Sequence, residues 1–257
     1  MAQSTLSHLQ KLAIAPIQRT GDRVDLTTEQ QHYLRRVLRL EAGDRFIVMD
    51  GQSGWWLAEL GTEPDQATCL EAIAIQNELP VSVTLLMAMP KSGMDDVVRQ
   101  VTELGVAAIV PVQSDRTLLN PSPQKLDRWR RIAQEAAEQS ERQIIPTIHE
   151  PQSWTGAIAQ AESLATLRLI ALERSDSPSL LQALSPLENR PEAAIAIAIG
   201  PEGGWTTAEA ERAIAAGFQP VTLGARILRS VTAPVAALAV IAAVSEDPVR
   251  PRPEALS

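Results

Sequence analysis

From Val81 onward the chain sets short, almost wholly apolar runs between longer amphipathic ones, and few architectures accept that pattern. "VSVTLLMAM", "AAIVPV", "TLRLIALE", "AAIAIAIG" and "QPVTLG" each read as a strand. Helical stretches separate them, among them "DDVVRQVTELG", closed by Gly105, and a long amphipathic run from Pro123 to Glu141. Strands that lack polar alternation are buried on both faces, and alternated with helices they build a parallel sheet covered on both sides. "APVAALAVIAAV", Ala233 to Val244, is too short and too rich in alanine to span a bilayer, so it reads as a buried helix.

The residues before Val81 follow another rhythm. One helix, "TTEQQHYLRRVLRL", begins at a threonine with Glu29 close behind. The strands "RFIVMD", "WWLAEL" and "TCLEAIAI" then follow, the first two joined by the turn "GQSG", and together they suggest a small antiparallel barrel. The pattern breaks near "QNELP". The expected chain is therefore mixed α/β: a β-rich domain over 1–76, a parallel-sheet α/β domain over 77–247, and a disordered Pro- and Arg-bearing tail over 248–257. At 257 residues there is room for both domains and a substantial core.

Composition narrows the chemistry. A single cysteine, Cys69, excludes an intrachain disulfide framework, and three scattered histidines make a protein-held metal an unpromising idea. The N-terminus lacks a basic region followed by an apolar block, so the expected location is cytoplasmic, away from any membrane. A formal net charge of -8 argues against nonspecific coating by nucleic acid. Two local basic stretches stand against it: Arg35, Arg36 and Arg39 in "HYLRRVLRL", and "QKLDRWRRIAQEAAEQSERQ", which ends near Arg142. Taken alone, such runs read first as solvated helix faces balanced by nearby acids.

Two loops carry the functional signal. In "IAIAIGPEGGWTTAEAERAIAAGF" an apolar strand runs into Gly200, Pro201, Glu202, Gly203 and Gly204, and ligands of open parallel sheets sit beyond the carboxyl ends of strands. Thr206 and Glu209 have the spacing of a capping box and Gly217 that of a helix stop, so local structure explains those three. The bend is neither a dinucleotide fingerprint nor a Walker loop, and Glu202 would repel a pyrophosphate. A phosphate-free, cationic ligand such as S-adenosylmethionine fits better. In "VTLGARILRSVTAPVAALA" a strand ends at Leu223 and Gly224, Arg226 and Arg229 share a loop with Ile227, Leu228 and Val231, and Thr232 opens the Ala-rich helix. The apolar residues suit a flat adenine, and the arginines suit a phosphate or carboxylate. Lys91 and Arg116 also follow strands, with ordinary salt bridges as the plain alternative. Trp55 and Trp56 fall on opposite faces of one strand, one of them core.

Together "MPKSGMDDVVRQVTELGVAAIVPVQSDRT", "RWRRIAQEAAEQSERQIIP", "IGPEGGWTTAE" and "LGARILRSVTA" make the chain resemble the bacterial 16S ribosomal RNA uridine-N3 methyltransferases, members of the SPOUT class of trefoil-knotted enzymes. The likeness covers nearly the whole chain, and its first part is similar to PUA-type RNA-binding barrels. It implies a deep knot and S-adenosylmethionine held by Leu172, Glu173, Gly200 to Gly204, Leu223, Gly224, Ile227, Leu228, Thr232 and Ala233. It implies a homodimer acting on 16S ribosomal RNA in the small subunit. For such a reaction Arg229 or Arg116 is expected to stabilise charge on the uracil or its phosphate. Glu202 is then a candidate base or an orienting group. Arg35, Arg36, Arg39, Lys91, Arg116, Arg142 and Arg226 become candidate RNA contacts. Where the family usually carries an acidic residue this chain has Val231, so no role of that carboxylate is carried over.

Two other readings of the residues stay open: a nicotinamide-dependent oxidoreductase, suggested by the α/β pattern and the glycine turn, and a noncatalytic RNA-binding or assembly protein. The absent dinucleotide fingerprint weighs against the first.

Overall fold

A computed structural model describes residues 8–74, 77–117, 121–185 and 193–246. The chain divides into two compact units, one of residues 1–78 with 137–145, the other of 79–136 with 146–257.

The first unit is one curled sheet of β1 (Lys11–Ala13), β2 (Arg19–Thr20), β3 (Arg23–Asp25), β4 (Arg45–Met49), β5 (Trp55–Leu60) and β6 (Gln66–Ala72), in the order β1-β4-β5-β6-β3-β2. Pairing is antiparallel except between β1 and β4, whose parallel register the apolar pattern did not announce. The β4–β5 turn closes on Asp50, whose Oδ1 accepts the Gln52 and Gly54 N–H groups at 2.8 and 2.9 Å. A register shift between Leu57 and Ala58 bends the β5–β6 ladder. Val24, Leu34, Phe46, Val48 and Leu60 fill one face; Ala13, Ile47, Met49 and Trp55 fill the other, with Ile145 against them. Trp55 is buried, whereas Trp56 packs on the opposite side under the Arg19 guanidinium, 4.1 Å from the ring centroid.

The helix before β4 is shorter than its sequence suggests. α1 (Thr28–His32) is capped by Thr27 with Gln30, not Glu29, as the reciprocal partner, and a π-helical turn over Tyr33–Val37 replaces its continuation. The Leu38 N–H donates to Tyr33 O, and the turn ends at Arg39 with φ of 59°.

The ranges 1–76 and 77–247 miss one exchange: residues 137–145 are counted with the first unit. The tie is chemical. Glu78 accepts from Arg142 Nη2 at 2.7 Å and from the Gln143 and Ile144 N–H groups at 2.8 and 3.0 Å. The tail expected over 248–257 lies outside the described residues.

The second unit is a parallel sheet of β7 (Ser82–Ala88), β8 (Ala108–Gln113), β9 (Thr147–Ile148), β10 (Gln152–Ser153), β11 (Leu167–Ala171), β12 (Ala194–Ile199) and β13 (Gln219–Val221). The order is β10-β8-β7-β12-β11-β13, with β9 also on β8. Every ladder in it is parallel. Pro111, mid-strand in β8, stands between the residues paired with β9 and those paired with β10, where no partner needs its missing N–H.

Helices cover both faces: α2 (Met94–Glu103), α3 (Pro123–Gln139), α4 (Trp154–Leu164), α5 (Leu180–Ala183), α6 (Thr207–Ala215) and α7 (Thr232–Ser245). The alternation in "AIAIAI" is a packing code. Ile195, Ile197 and Ile199 face a core shared with Val97, Val101, Leu238 and Ile241 of α2 and α7. Ala196 and Ala198 face Trp154, Ala213 and Phe218. Trp154 stacks on Trp205 at 4.3 Å between ring centroids and lies 6.1 Å from Phe218, so bulk supplied by this layer leaves only methyl-sized room on the strand.

Candidate functional site

Because the strands run the same way, the loops after β7, β8, β11, β12 and β13 leave the sheet at one rim. They enclose a cleft of ≈ 790 Å³, within the range of small-molecule sites. Gly200 to Gly204 form its central bend, with the Gly204 N–H donating to Pro201 O at 2.9 Å. Gly204 has φ of 68°, where a side chain is strained. A Cβ on Gly203 would stand 3.0 Å from Arg116 Cδ.

Neighbouring loops hold this bend from two sides. The Lys91 N–H, just after β7, donates to Glu202 Oε1 at 3.0 Å. Arg116, after β8, donates from Nη1 to Gly203 O. Across the cleft, Val221 and Thr222 are gripped by the loop after β11. The Leu172 N–H donates to Val221 O at 2.9 Å, Thr222 N–H to Pro178 O at 2.9 Å, and Leu180 N–H to Thr222 O at 3.0 Å. The chain then passes Gly224, with φ of 114°, and reaches α7, whose first N–H groups, from Thr232 and Ala233, donate to Arg229 O at 2.8 and 2.9 Å.

Nearly all the residues expected to meet a cofactor meet here. Leu172, Glu173, Gly200 to Gly204, Leu223, Gly224, Ile227, Leu228 and Ala233 line the cleft, as do Arg116, Arg226 and Arg229. Thr232 does not line it; it is the first residue of α7. Lys91 stays outside the lining and contributes only its backbone N–H to Glu202. Arg35, Arg36 and Arg39 belong to the other unit. Of these, Arg35 is engaged internally, donating from Nη2 to Gly61 O at 2.9 Å and Glu63 O at 3.1 Å, while Arg36 and Arg39 are exposed.

Arg142 requires a correction. Expected as an RNA contact, it is 3% exposed and its guanidinium is committed to Glu78, so it acts as an internal clasp. Its place at the polar end of a helix gave no hint of this, because the partner lies 64 residues earlier.

Sequence reasoning also passed over Trp205, which follows the glycines directly. Its ring lines the cleft, and its Nε1 is buried with no hydrogen-bond partner among the described residues. That orphan donor sits 3.2 Å from where a Gly200 Cβ would stand. The apolar walls and the carboxylates suit a nucleoside-like cation, and the guanidiniums suit a carboxylate or phosphate. Apolar walls come from Leu172, Ile199, Leu223 and Leu228, two carboxylates from Glu173 and Glu202, and three guanidiniums from Arg116, Arg226 and Arg229. Among the described residues no group of three potential metal ligands occurs and no helix is long and apolar enough to cross a membrane.

The RNA methyltransferase domain family matches residues 77–242, and the RNA methyltransferase PUA domain family matches residues 26–70. A Synechocystis protein named Ribosomal RNA small subunit methyltransferase E is 50% identical over 239 residues, 92% of this chain and 78% of that one. Its Bacillus subtilis namesake is 31% identical over 86% of this chain and 90% of its own. Among solved structures, the Neisseria gonorrhoeae protein of the same name, bound to S-adenosyl methionine, superposes with a TM-score of 0.79 at 32% identity. That match covers 91% of this chain and 97% of the other.

Proposed function

The chain belongs to the ribosomal RNA small subunit methyltransferase E family, and from that premise we propose that it methylates N3 of a specific uridine in 16S ribosomal RNA. It is an S-adenosylmethionine-dependent ribosomal RNA methyltransferase. One observation carries the finer reading: segments 172–173, 200–204 and 223–229, far apart in sequence, border a single cleft at the rim of the parallel sheet.

When bound, S-adenosylmethionine supplies an electrophilic methyl carbon on a sulfonium leaving group. The chain's task is then alignment and charge stabilisation. Leu172, Leu223 and Leu228, with backbone groups of Gly200 and Gly224, seat the adenosine. Attack by uridine N3 requires loss of its proton, and negative charge spreads over O2 and O4 of the ring. Arg229 and Arg116 face that charge or the adjoining phosphate, and Arg226 extends the cationic border toward RNA. Glu202, with one oxygen engaged by Lys91, holds the bend in place.

The first unit provides the RNA platform, through the exposed Arg36 and Arg39 beside Tyr33 on the π turn. The reading includes a trefoil knot, which the grip of the 172–180 loop on Val221 and Thr222 favours. It also includes a homodimer. α7 has no charged side chain among its 14 residues, yet Ala239 and Ala243 are exposed on it, as suits a face covered by a second copy. A substrate within the small ribosomal subunit implies the cytoplasm. Mass-spectrometric mapping of methylated uridine in 16S RNA, with and without the gene, tests the assignment. An unchanged methylation map would remove it. Calorimetry with S-adenosylhomocysteine and NADH separates this reading from a nicotinamide enzyme, the first ligand binding and the second not.

A further inference from the structure

The most unusual titratable group outside the cleft lining is Glu209, at the start of α6. Its capping-box role with Thr206 is local: Oε2 accepts the Thr206 N–H at 2.8 Å. A cap of that kind ordinarily sits at the surface, and Glu209 is 1% exposed. Burying a carboxylate is costly unless donors surround it. The donor that completes the set comes from 94 residues away: the Asp115 N–H gives Oε1 a 2.8 Å bond. Thr206 Oγ1 adds a contact at 3.0 Å to Oε2, and lies 3.3 Å from Asp115 Oδ2. The Glu209 carbonyl is fixed too, accepting Trp154 Nε1 at 3.1 Å. Helix capping needs none of the link to Asp115.

The residue after Asp115 is Arg116, whose guanidinium lies on Gly203 in the cleft. The turn that presents it is tight, with Ser114 Oγ and Thr117 Oγ1 at 2.8 Å and the Thr117 N–H on Ser114 O at 3.0 Å. Glu209 therefore anchors one end of this turn to the same helix start that ends the glycine bend. We propose that Glu209 is a positioning residue that fixes Arg116 over the glycine bend, and so acts on methyl transfer to RNA and not on cofactor affinity. The inference rests on the role given to Arg116 above.

The test is a double-mutant cycle in the full-length protein, using Glu209→Gln, Arg116→Ala and both together. Methyl transfer is measured on small-subunit RNA from a strain lacking the gene, and S-adenosylhomocysteine binding by calorimetry. Gln keeps the shape but cannot accept at both oxygens, so one of the two loops loses its bond. Glu209→Gln should lower kcat about 10-fold, leave S-adenosylhomocysteine affinity within about 2-fold, and change kcat by less than about 2-fold once Arg116 is gone. Equal, multiplicative losses in both backgrounds, or a matching loss of cofactor affinity, would reduce Glu209 to a helix cap. Should the Gln variant not fold, Glu209→Asp keeps the charge, shortens the reach to Asp115, and is expected to give the same pattern. Hydrogen exchange at the Asp115 amide reads the tie without any assay of activity. Exchange accelerated in the variant supports it and unchanged exchange overturns it, even if the wild-type protein proves inactive on RNA, which would count against the assigned reaction instead.

Discussion

The Lys91 backbone N–H and the Glu202 carboxylate meet at 3.0 Å although 111 residues separate them. That bond turns the only acid in the glycine bend into a brace between the loops after β7 and β12. Glu202→Gln retains an acceptor and should hold S-adenosylhomocysteine affinity within about 3-fold, whereas Glu202→Ala loses a hydrogen bond worth about 1 kcal/mol at this exposed position, near 5-fold in affinity. Calorimetry checks both. If Gln abolished turnover as completely as Ala, Glu202 would belong to proton transfer.

Gly93 and Val231 make a second, steric pair. Gly93 has φ of 86°, and a Cβ there would stand 2.8 Å from Val231 Cγ1. Gly93→Ala should cost about 1–3 kcal/mol in chemical denaturation. Adding Val231→Ala should recover the part due to crowding and leave the part due to backbone strain. Complete recovery would show that the dihedral itself costs nothing here.

The basic residues of the first unit separate into two classes. Removing Arg142 leaves the partly buried Glu78 with only backbone donors, so Arg142→Ala should lower stability by about 3 kcal/mol, with RNA affinity unchanged below its melting range. Arg36→Ala and Arg39→Ala should do the reverse, keeping stability and reducing the salt slope of RNA binding by about 0.7–0.9 each. Denaturation curves and filter binding at several salt concentrations decide it. An RNA-binding defect in folded Arg142→Ala protein would contradict the clasp.

Cys69 offers a probe of the first unit. Burial pushes its thiol above the ordinary range, outweighing a hydrogen bond and charge from Arg19 that act in the opposite direction. The folded state thus holds this proton more firmly than the unfolded one. The stabilisation is complete below the usual thiol range and is lost as pH rises through the raised folded value. Alkylation by iodoacetamide near pH 8 should be at least about 100-fold slower in the native protein than in denaturant, because it waits for local opening. Labelling at the rate of a free thiol would mean that the sheet around β6 is open.

How much of this was legible beforehand depends on the range of the interaction. The apolar runs after Val81 reveal a parallel sheet covered on both faces because strand burial is written locally, residue by residue. The Thr206–Glu209 cap is legible for the same reason. In "AIAIAI" the burial is readable but the division of labour is not: the sizes of Ile197 and Ala198 answer to Leu238 on one side and Trp154 on the other. Arg116 on Gly203 and Arg142 on Glu78 span 87 and 64 residues, and no spacing rule covers them. The π turn at Tyr33–Val37 escaped too, since its sequence satisfies an α-helix equally well.

Every strand of the second unit points the same way, and this has an evolutionary consequence. Recognition is written in the short connections at one border, while the residues that keep the layers together sit within the strands and helices beneath. Exchanges along that border can therefore retune what is gripped without disturbing the foundation, and changes in the foundation should register first as loss of yield instead of altered preference.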